Sequence, residues 1–251
     1  MAVRGEFSSR LGFVLAAAGS AVGLGNIWGF PTQVASNGGA AFVLVYIVLA
    51  FLLAYPVLMA ELIIGRATRS NMVDALGKIS GSNIGRATGV WGFVTVSLIL
   101  SFYALVAGWM LSHFLQTISD MLGQDGISTW LVSSSYTRDI LFSGVFLCLT
   151  ASIVTGGVKQ GIELWSVRLM PALFIIIVLL IIYVSTLAGA AEGWKAYLLP
   201  NFSLIMEPDL LISAMGQAFF SMSLGVGTML VYGSYVSKKE NLPTLGASVA
   251  L

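Results

Sequence analysis

Long apolar stretches separated by short polar ones dominate this chain. Six of them are long enough to cross a bilayer as helices, because a span needs about 20 apolar residues. They lie near residues 11–34, 40–64, 88–118, 140–157, 166–187 and 209–236, and a seventh begins near Pro243. The pattern predicts an all-α membrane protein. The first stretch has no small-residue cleavage site, so we expect it to remain in the mature chain.

The first stretch carries glycines at mid-membrane depth, in the run Gly-Ser-Ala-Val-Gly-Leu-Gly-Asn from Gly19 to Asn26. Glycine disfavours helix, and backbone groups freed in hydrocarbon must be satisfied by protein, water or a ligand. One interpretation is a broken helix whose exposed carbonyls and amides bind something. The other is close helix packing, because Gly19 and Gly23 fit the small-xxx-small pattern. The stretch alone favours neither.

The sixth stretch contains a second interruption between Gln217 and Gly227, with glycines, two serines and a glutamine at mid-membrane depth. The first and sixth spans run in opposite directions through the membrane. Paired glycine-interrupted segments in corresponding halves indicate a binding site in an inverted-repeat transporter.

Composition and charge agree with a membrane protein. Hydrophobic residues make up 57% and charged residues 9% of the chain, against about 25% charged residues in a soluble domain. With the N-terminus in the cytoplasm, ten Lys and Arg residues fall inside and only Arg138 and Lys195 outside, as the positive-inside rule predicts. We therefore expect a multi-pass protein of the inner (plasma) membrane. No basic stripe suggests nucleic acid.

A few single residues limit the kinds of chemistry that we expect of this chain. Glu61 lies inside the second span, where an acid needs a partner. It is either protonated or accepts hydrogen bonds from the broken backbone of another helix, and a structural role is favoured over an ion pathway. Cys148 is the single cysteine, so the chain cannot form an internal disulfide. His113 is the single histidine, which offers no metal cluster or catalytic constellation, so no enzyme is expected. A channel is disfavoured because ionisable residues are nearly absent from the spans.

The sequence resembles the neurotransmitter:sodium symporter family, of the bacterial amino-acid type. The matching stretches run in order over nearly the whole chain: Arg10-Leu-Gly, Gly19 to Asn26, Phe30-Pro31, Asn37-Gly-Gly, Glu61 to Arg66, Lys159-Gln-Gly-Ile-Glu163, Gln217 to Ser221 and Gly225-Val-Gly227. The resemblance implies the inverted-repeat transporter fold of about twelve spans, with broken first and sixth helices. Residues 1–10 would be a cytoplasmic arm, 11–187 the first five-helix repeat and 188–251 the start of the second. The remaining parts of the sites and gates are expected beyond Leu251.

The resemblance also implies ion sites. The first sodium would bind the carbonyl of Ala21, the side chain of Asn26 and the hydroxyl of Ser221, and the second the carbonyls of Gly19 and Val22. Such oxygen ligands suit a hard cation. Positions that bind chloride in animal members are Tyr46, Gln217 and Ser221, although chloride dependence rests on a seventh-span position beyond Leu251. Arg4 would belong to the inner gate.

By the same resemblance, a substrate carboxylate would bind the amides of Leu24 and Gly25 and the hydroxyl of Tyr103. The amino group would meet the carbonyls of Ala21 and Phe220, and Ser221. The side-chain pocket would be lined by Ile99, Tyr103, Phe220, Ser223 and Val226, with Phe220 as an outer lid.

Three positions narrow the expectation. Monoamine transporters of the family have aspartate where this chain has Gly23, so a substrate with its own carboxylate, an amino acid, is expected. Val226 stands where the family often has phenylalanine, which implies a roomier pocket and a large apolar or aromatic amino acid. Gly29 stands where the family usually has the arginine of the outer gate. The implied function is sodium-coupled uptake of an amino acid by alternating access, without a cofactor. The alternative is a transport-inactive truncated half-protein with a structural or regulatory role.

Overall fold

The computed structural model describes residues 5–23 and 25–251, and every regular element in them is helical. The helices are α1 Arg10–Ala21, α2 Phe30–Ser36, α3 Ala40–Leu49, α4 Tyr55–Thr68, α5 Met72–Ser80, α6 Asn83–Met121, α7 Asp125–Val132, α8 Tyr136–Thr155, α9 Leu164–Ser185, α10 Ala190–Leu198, α11 Pro208–Ser221, α12 Thr228–Gly233 and α13 Leu242–Ala250. Wider π-helical turns occupy Gly25–Gly29, Ala50–Ala54 and Val158–Glu163, and a 3-10 turn occupies Phe202–Leu204. The all-α prediction is confirmed.

Four helices of the described chain are long and apolar enough to cross a membrane: Ala40–Thr68, Asn83–Met121, Tyr136–Thr155 and Val158–Ser185. A fifth span forms if Arg10–Ala21 and Gly25–Ser36, which are bent by 61°, are counted together. Each agrees with a predicted stretch. The sixth predicted span is divided into α11 and α12, and α13 begins at Leu242, beside the Pro243 expected to open a seventh.

The polar connections contain helices that the hydropathy pattern did not predict. The connection between the second and third apolar stretches contains α5 and the first turn of α6. Asn71 caps α5 by accepting a hydrogen bond from the Asp74 amide, and Gly81 ends it in the left-handed region at φ 60°. Both are ordinary helix-boundary signals, so a search for caps rather than for apolar length would have found this helix.

The core joins the first, second and sixth spans and α13. Phe13 and Ala17 of α1, Leu58 and Leu62 of α4, and Met229 of α12 are buried there. The backbones of α4 and α12 meet directly, because a Cβ at Gly65 would lie 1.9 Å from the Leu230 carbonyl oxygen. On the partner helix, a Cβ at Gly233 would lie 2.7 Å from the Leu62 carbonyl oxygen. Small residues permit this close approach of membrane helices.

We expect Gly65→Ala to destabilise the protein by about 1–3 kcal/mol, because the new methyl group has only rigid backbone beside it. The thermal unfolding midpoint in detergent should fall. Gly216→Ala in α11 is the matched control, since a Cβ there meets no atom within 4 Å. Equal midpoints for the two variants would contradict direct contact between α4 and α12.

Candidate functional site

The first span is broken between α1 and the turn that begins at Gly25. The helical pattern stops at Val22, whose ψ is 88°, and the Gly23 amide donates to the Ala21 carbonyl rather than to a carbonyl one helical turn earlier. Both interpretations of the glycine run therefore hold at different positions. The chain breaks after Ala21, and at Gly19 the missing side chain lets α9 pack closely, with Met170 Sδ 3.3 Å from the position of a Cβ.

The sixth span is broken between Ser221 and Thr228. Ser223, Gly225 and Gly227 all have positive φ, at 52°, 81° and 74°. This left-handed region suits glycine and is strained for serine. The Ser223 hydroxyl donates to the Ser20 carbonyl at 3.1 Å, which ties the second break to the first.

Glu61 caps the second break. Its carboxylate accepts hydrogen bonds from the Gly225 amide at 2.8 Å and from the Leu230 amide at 3.2 Å. The break thus exposes amides that would otherwise lack partners in hydrocarbon. The prediction that this acid serves the broken backbone of another helix is confirmed.

Side chains of the two breaks meet in one polar cluster. The Asn26 amide nitrogen donates to the Ala21 carbonyl at 2.7 Å, while the Asn26 oxygen accepts from the Ser221 hydroxyl at 2.7 Å and from the Gln217 amide at 3.2 Å. Gln217 also donates to Ser221 at 3.1 Å. Asn26 therefore contacts both of the other residues predicted for the first sodium, Ala21 and Ser221.

The structure shows fewer contacts among the residues predicted for the second sodium and for chloride. No donor from the described residues reaches the carbonyls of Gly19 and Val22, predicted for the second sodium. Of the predicted chloride positions, Gln217 and Ser221 are in contact, whereas Tyr46 packs edge-on against Phe30, with ring centroids 5.0 Å apart.

A cleft of about 670 Å³ opens beside the first break. It contains four predicted substrate residues, Gly25, Ile99, Tyr103 and Phe220. Sequence reasoning missed seven others that line it: Trp28, Gly29, Thr32, Gln33, Leu98, Phe102 and Val106. On α6, Phe102 and Val106 lie three residues after Ile99 and Tyr103, so helical spacing would have found these two. Leu98 is adjacent to Ile99 and does not follow from that spacing.

Phe220 lies over the first break. A Cβ at Gly25 would be 1.8 Å from the Phe220 ring, so only glycine at that position lets the ring come so close. Tyr103 faces Gly23, where a Cβ would be 3.6 Å from the phenol oxygen. No Asp, Glu, Lys or Arg of the described residues lines this cleft.

Val226, predicted for the pocket, is not among the described residues that line this cleft. The positive φ of Gly225 and Gly227 turns the chain, and Val226 lines another cavity, of about 680 Å³, with Met72, Phe93 and Tyr232 among others. The side chains of Ala21, Ser221 and Ser223 lie outside the cleft lining as well, in the contacts between the breaks. Leu24 and Arg4 lie outside the described residues.

The segment that follows Arg4 crosses one end of the bundle. Phe7 stacks on Tyr232 with ring centroids 5.9 Å apart, and its amide donates to the Tyr235 carbonyl at 3.2 Å. Glu6 pairs with Arg69, and this hydrogen bond holds the pKa of the Glu6 carboxyl below its usual value. Arg66 donates to the Glu240 carbonyl at 2.8 Å nearby.

The family to which this pair of broken helices belongs follows from comparison with known proteins. The model of the sodium:neurotransmitter symporter family matches residues 4–141 and 139–250. The chain belongs to this family. The resemblance drawn from the glycine runs is thereby confirmed, and a family of symporters is one of transporters rather than enzymes.

Members of the sodium:neurotransmitter symporter family resemble the chain along nearly its whole length. The uncharacterized sodium-dependent transporter YhdH of Bacillus subtilis is 39% identical over 98% of this chain. The sodium- and chloride-dependent taurine transporter of Rattus norvegicus is 30% identical over 95% of it. The crystal structure of MhsT in complex with L-phenylalanine matches 99% of the chain with a TM-score of 0.83 and 39% identity.

The chain spans about half the length of these symporters. It covers 55% of the Bacillus subtilis transporter, 45% of the rat transporter and 57% of the MhsT chain. The inverted-repeat fold with broken first and sixth helices is thus represented here by the part that contains both breaks.

We expect Glu61→Ala to speed hydrogen exchange at the Gly225 and Leu230 amides about tenfold or more, since a lost hydrogen bond to a buried group costs about 1–3 kcal/mol. Glu61→Gln, which keeps one acceptor oxygen, should fall between this variant and the wild type. Glu192→Ala is the control, because Glu192 is exposed in α10. Unchanged exchange in Glu61→Ala would show that the break is held by other contacts.

Proposed function

We propose that this chain supplies the N-terminal part of a transporter that takes up a large apolar or aromatic amino acid together with sodium. The observation that carries the proposal is the contact of Ala21, Asn26 and Ser221 between the two broken helices, beside an apolar cleft. Membership of a sodium symporter family and the phenylalanine bound to MhsT support it.

Sodium would bind where the two breaks meet. The Ala21 carbonyl, the Asn26 amide oxygen and the Ser221 hydroxyl are neutral oxygen ligands of the kind that hard cations accept. A second sodium would take the Gly19 and Val22 carbonyls together with ligands from outside this chain. Chloride, if required, would approach Tyr46, Gln217 and Ser221.

The amino acid would bind across the first break. Its carboxylate would take the amides of Leu24 and Gly25, at the positive end of the outer half-helix, and the Tyr103 hydroxyl. Its amino group would meet the carbonyls of Ala21 and Phe220, and Ser221. The absence of charged residues from the described cleft lining favours an apolar substrate side chain against Ile99 and beneath Phe220.

Transport would follow alternating access. Sodium and substrate bind from outside, the outer side closes and the inner side opens. A sodium ion that crosses 100 mV down a tenfold gradient releases roughly 3.7 kcal/mol, enough for a few hundredfold accumulation. The ten-to-two distribution of Lys and Arg supports an N-terminus on the cytoplasmic side of the inner membrane. Residues 11–187 would form the first repeat and 188–251 the start of the second.

The first test is uptake of labelled leucine into proteoliposomes by this chain fused to the remaining C-terminal part of the Bacillus subtilis relative. Uptake should require an inward sodium gradient, and unlabelled leucine or tryptophan should compete better than alanine. The 251-residue chain is assayed alone in parallel. Failure of a correctly folded fusion to transport would favour the inert or regulatory half-protein, and better competition by alanine would exclude the proposed substrate class.

In the same fusion, Asn26→Ala and Ser221→Ala should each raise the sodium concentration for half-maximal uptake about tenfold or more, because each removes an ion ligand. The matched control is Ser152→Ala on the exposed face of α8. A lower maximal rate with unchanged sodium dependence would place the ion elsewhere.

Gly23→Asp should weaken uptake of leucine and favour amines without a carboxylate. The new carboxylate would stand beside the Tyr103 hydroxyl, where it repels a substrate carboxylate and attracts an ammonium group. Competition by tryptamine against labelled leucine in the wild type and in the variant measures the shift. An unchanged order of competitors would refute this account of selectivity.

A further inference from the structure

A close-packed hairpin of α5 and α6 forms one polar end of the bundle. Glycines bring the two helices together: a Cβ would lie 2.6 Å from Val73 Cα at Gly89 and 2.2 Å from Met72 Cε at Gly92. Near the tip, a Cβ at Gly77 would lie 2.6 Å from the Arg86 side chain. The aliphatic stem of Arg86 therefore lies against α5 at Gly77.

That tip encloses a notch of about 330 Å³. Its lining is polar and consists of Asp74, Gly77, Lys78, Gly81, Ser82, Asn83 and Arg86. Two cations and one acid give the lining a net charge of +1. The acid is already engaged, because Asp74 accepts a hydrogen bond from the Asn71 side chain at 2.9 Å.

The two cations of the notch have no anionic partner in the chain as described. Between residues 5–23 and 25–251 the ion pairs are Arg69 with Glu6 and Arg138 with Asp139, and no hydrogen bond from Lys78 or Arg86 is found. Like charges that line one notch repel each other, so an anion between them lowers the electrostatic energy. A phosphate group, with several acceptor oxygens, can bind a guanidinium and an ammonium at once.

The notch lies at the depth of lipid headgroups. From Ala87 to Ser119, α6 has no Asp, Glu, Lys or Arg, and at 1.5 Å per residue this run is about 50 Å long. A bilayer with its headgroups is about 40–45 Å thick, so Arg86 stands at the membrane boundary. Beside the notch Ile79 and Ile84 are 55% and 78% exposed, which offers apolar contact to an acyl chain.

We propose that the Lys78–Arg86 notch binds the phosphate of an anionic phospholipid, with the acyl chains against Ile79, Ile84 and the apolar surface of α6. The lipid fixes the hairpin at the membrane boundary. This site goes beyond the proposed transport function and does not depend on it, because lipid binding is measured without substrate or sodium.

The test is native mass spectrometry of the 251-residue chain in neutral detergent, titrated with phosphatidylglycerol or phosphatidylcholine. The first phosphatidylglycerol should bind more tightly than phosphatidylcholine. Lys78→Gln with Arg86→Gln should weaken it about thirtyfold, since each of the two basic residues near an anionic lipid contributes about 1 kcal/mol. The matched control, Lys238→Gln with Lys239→Gln, removes the same charge from exposed positions outside the notch and should change binding less than about twofold.

Two further measurements distinguish a phospholipid site from diffuse charge and from a small-anion site. Lys78→Arg with Arg86→Lys keeps both charges and should retain binding, and gel filtration verifies that every variant is folded. A large excess of inorganic phosphate should not displace the lipid, because the acyl chains add affinity. Equal weakening in the notch and control variants would overturn the proposal in favour of diffuse charge, and displacement by phosphate would overturn it in favour of a small-anion site.

Discussion

The need to satisfy backbone polar groups away from water governs this structure. Two spans are interrupted at mid-membrane depth, and each interruption exposes amides and carbonyls that hydrocarbon cannot satisfy. In this chain, other protein groups form hydrogen bonds with these amides and carbonyls. Glu61 accepts from two amides of the sixth span, and the side chains of Asn26, Ser221 and Ser223 connect one break to the other. The first sodium site that we propose uses three of the groups in these contacts: the Ala21 carbonyl, the Asn26 amide oxygen and the Ser221 hydroxyl.

Much of the architecture could be predicted from the sequence because lipid imposes a simple rule on length and polarity. The positions of the spans follow from the lengths of the apolar runs, and the pairing of two glycine-interrupted runs indicates the breaks. For Glu61 the sequence left two alternatives, protonation or hydrogen bonds from the broken backbone of another helix. The short helices α5, α7 and α10 could not be found in this way, since they lie in polar connections where hydropathy carries no length signal. Their caps and turn glycines are the informative residues there.

The candidate site was predictable in part, and the errors have physical causes. Motif position identified Ala21, Asn26 and Ser221, which meet in space. It did not show that positive φ at Gly225 and Gly227 turns Val226 away from the cleft, because backbone handedness is decided by the local fold. Nor did it show Trp28 or Leu98 in the lining, which depends on how α6 is rotated against the first break.

The backbone contact of α4 with α12 has a mechanical consequence. Side chains packed between two helices can absorb small displacements by changing rotamer. At Gly65 and Gly233 the helices meet backbone to backbone, without side chains between them. The second span and α12 are therefore expected to move together as one rigid unit. Glu61 connects α4 to the break in the sixth span, and Arg66 connects the end of α4 to the Glu240 carbonyl. A displacement at mid-membrane depth would reach the polar end of the bundle almost undamped.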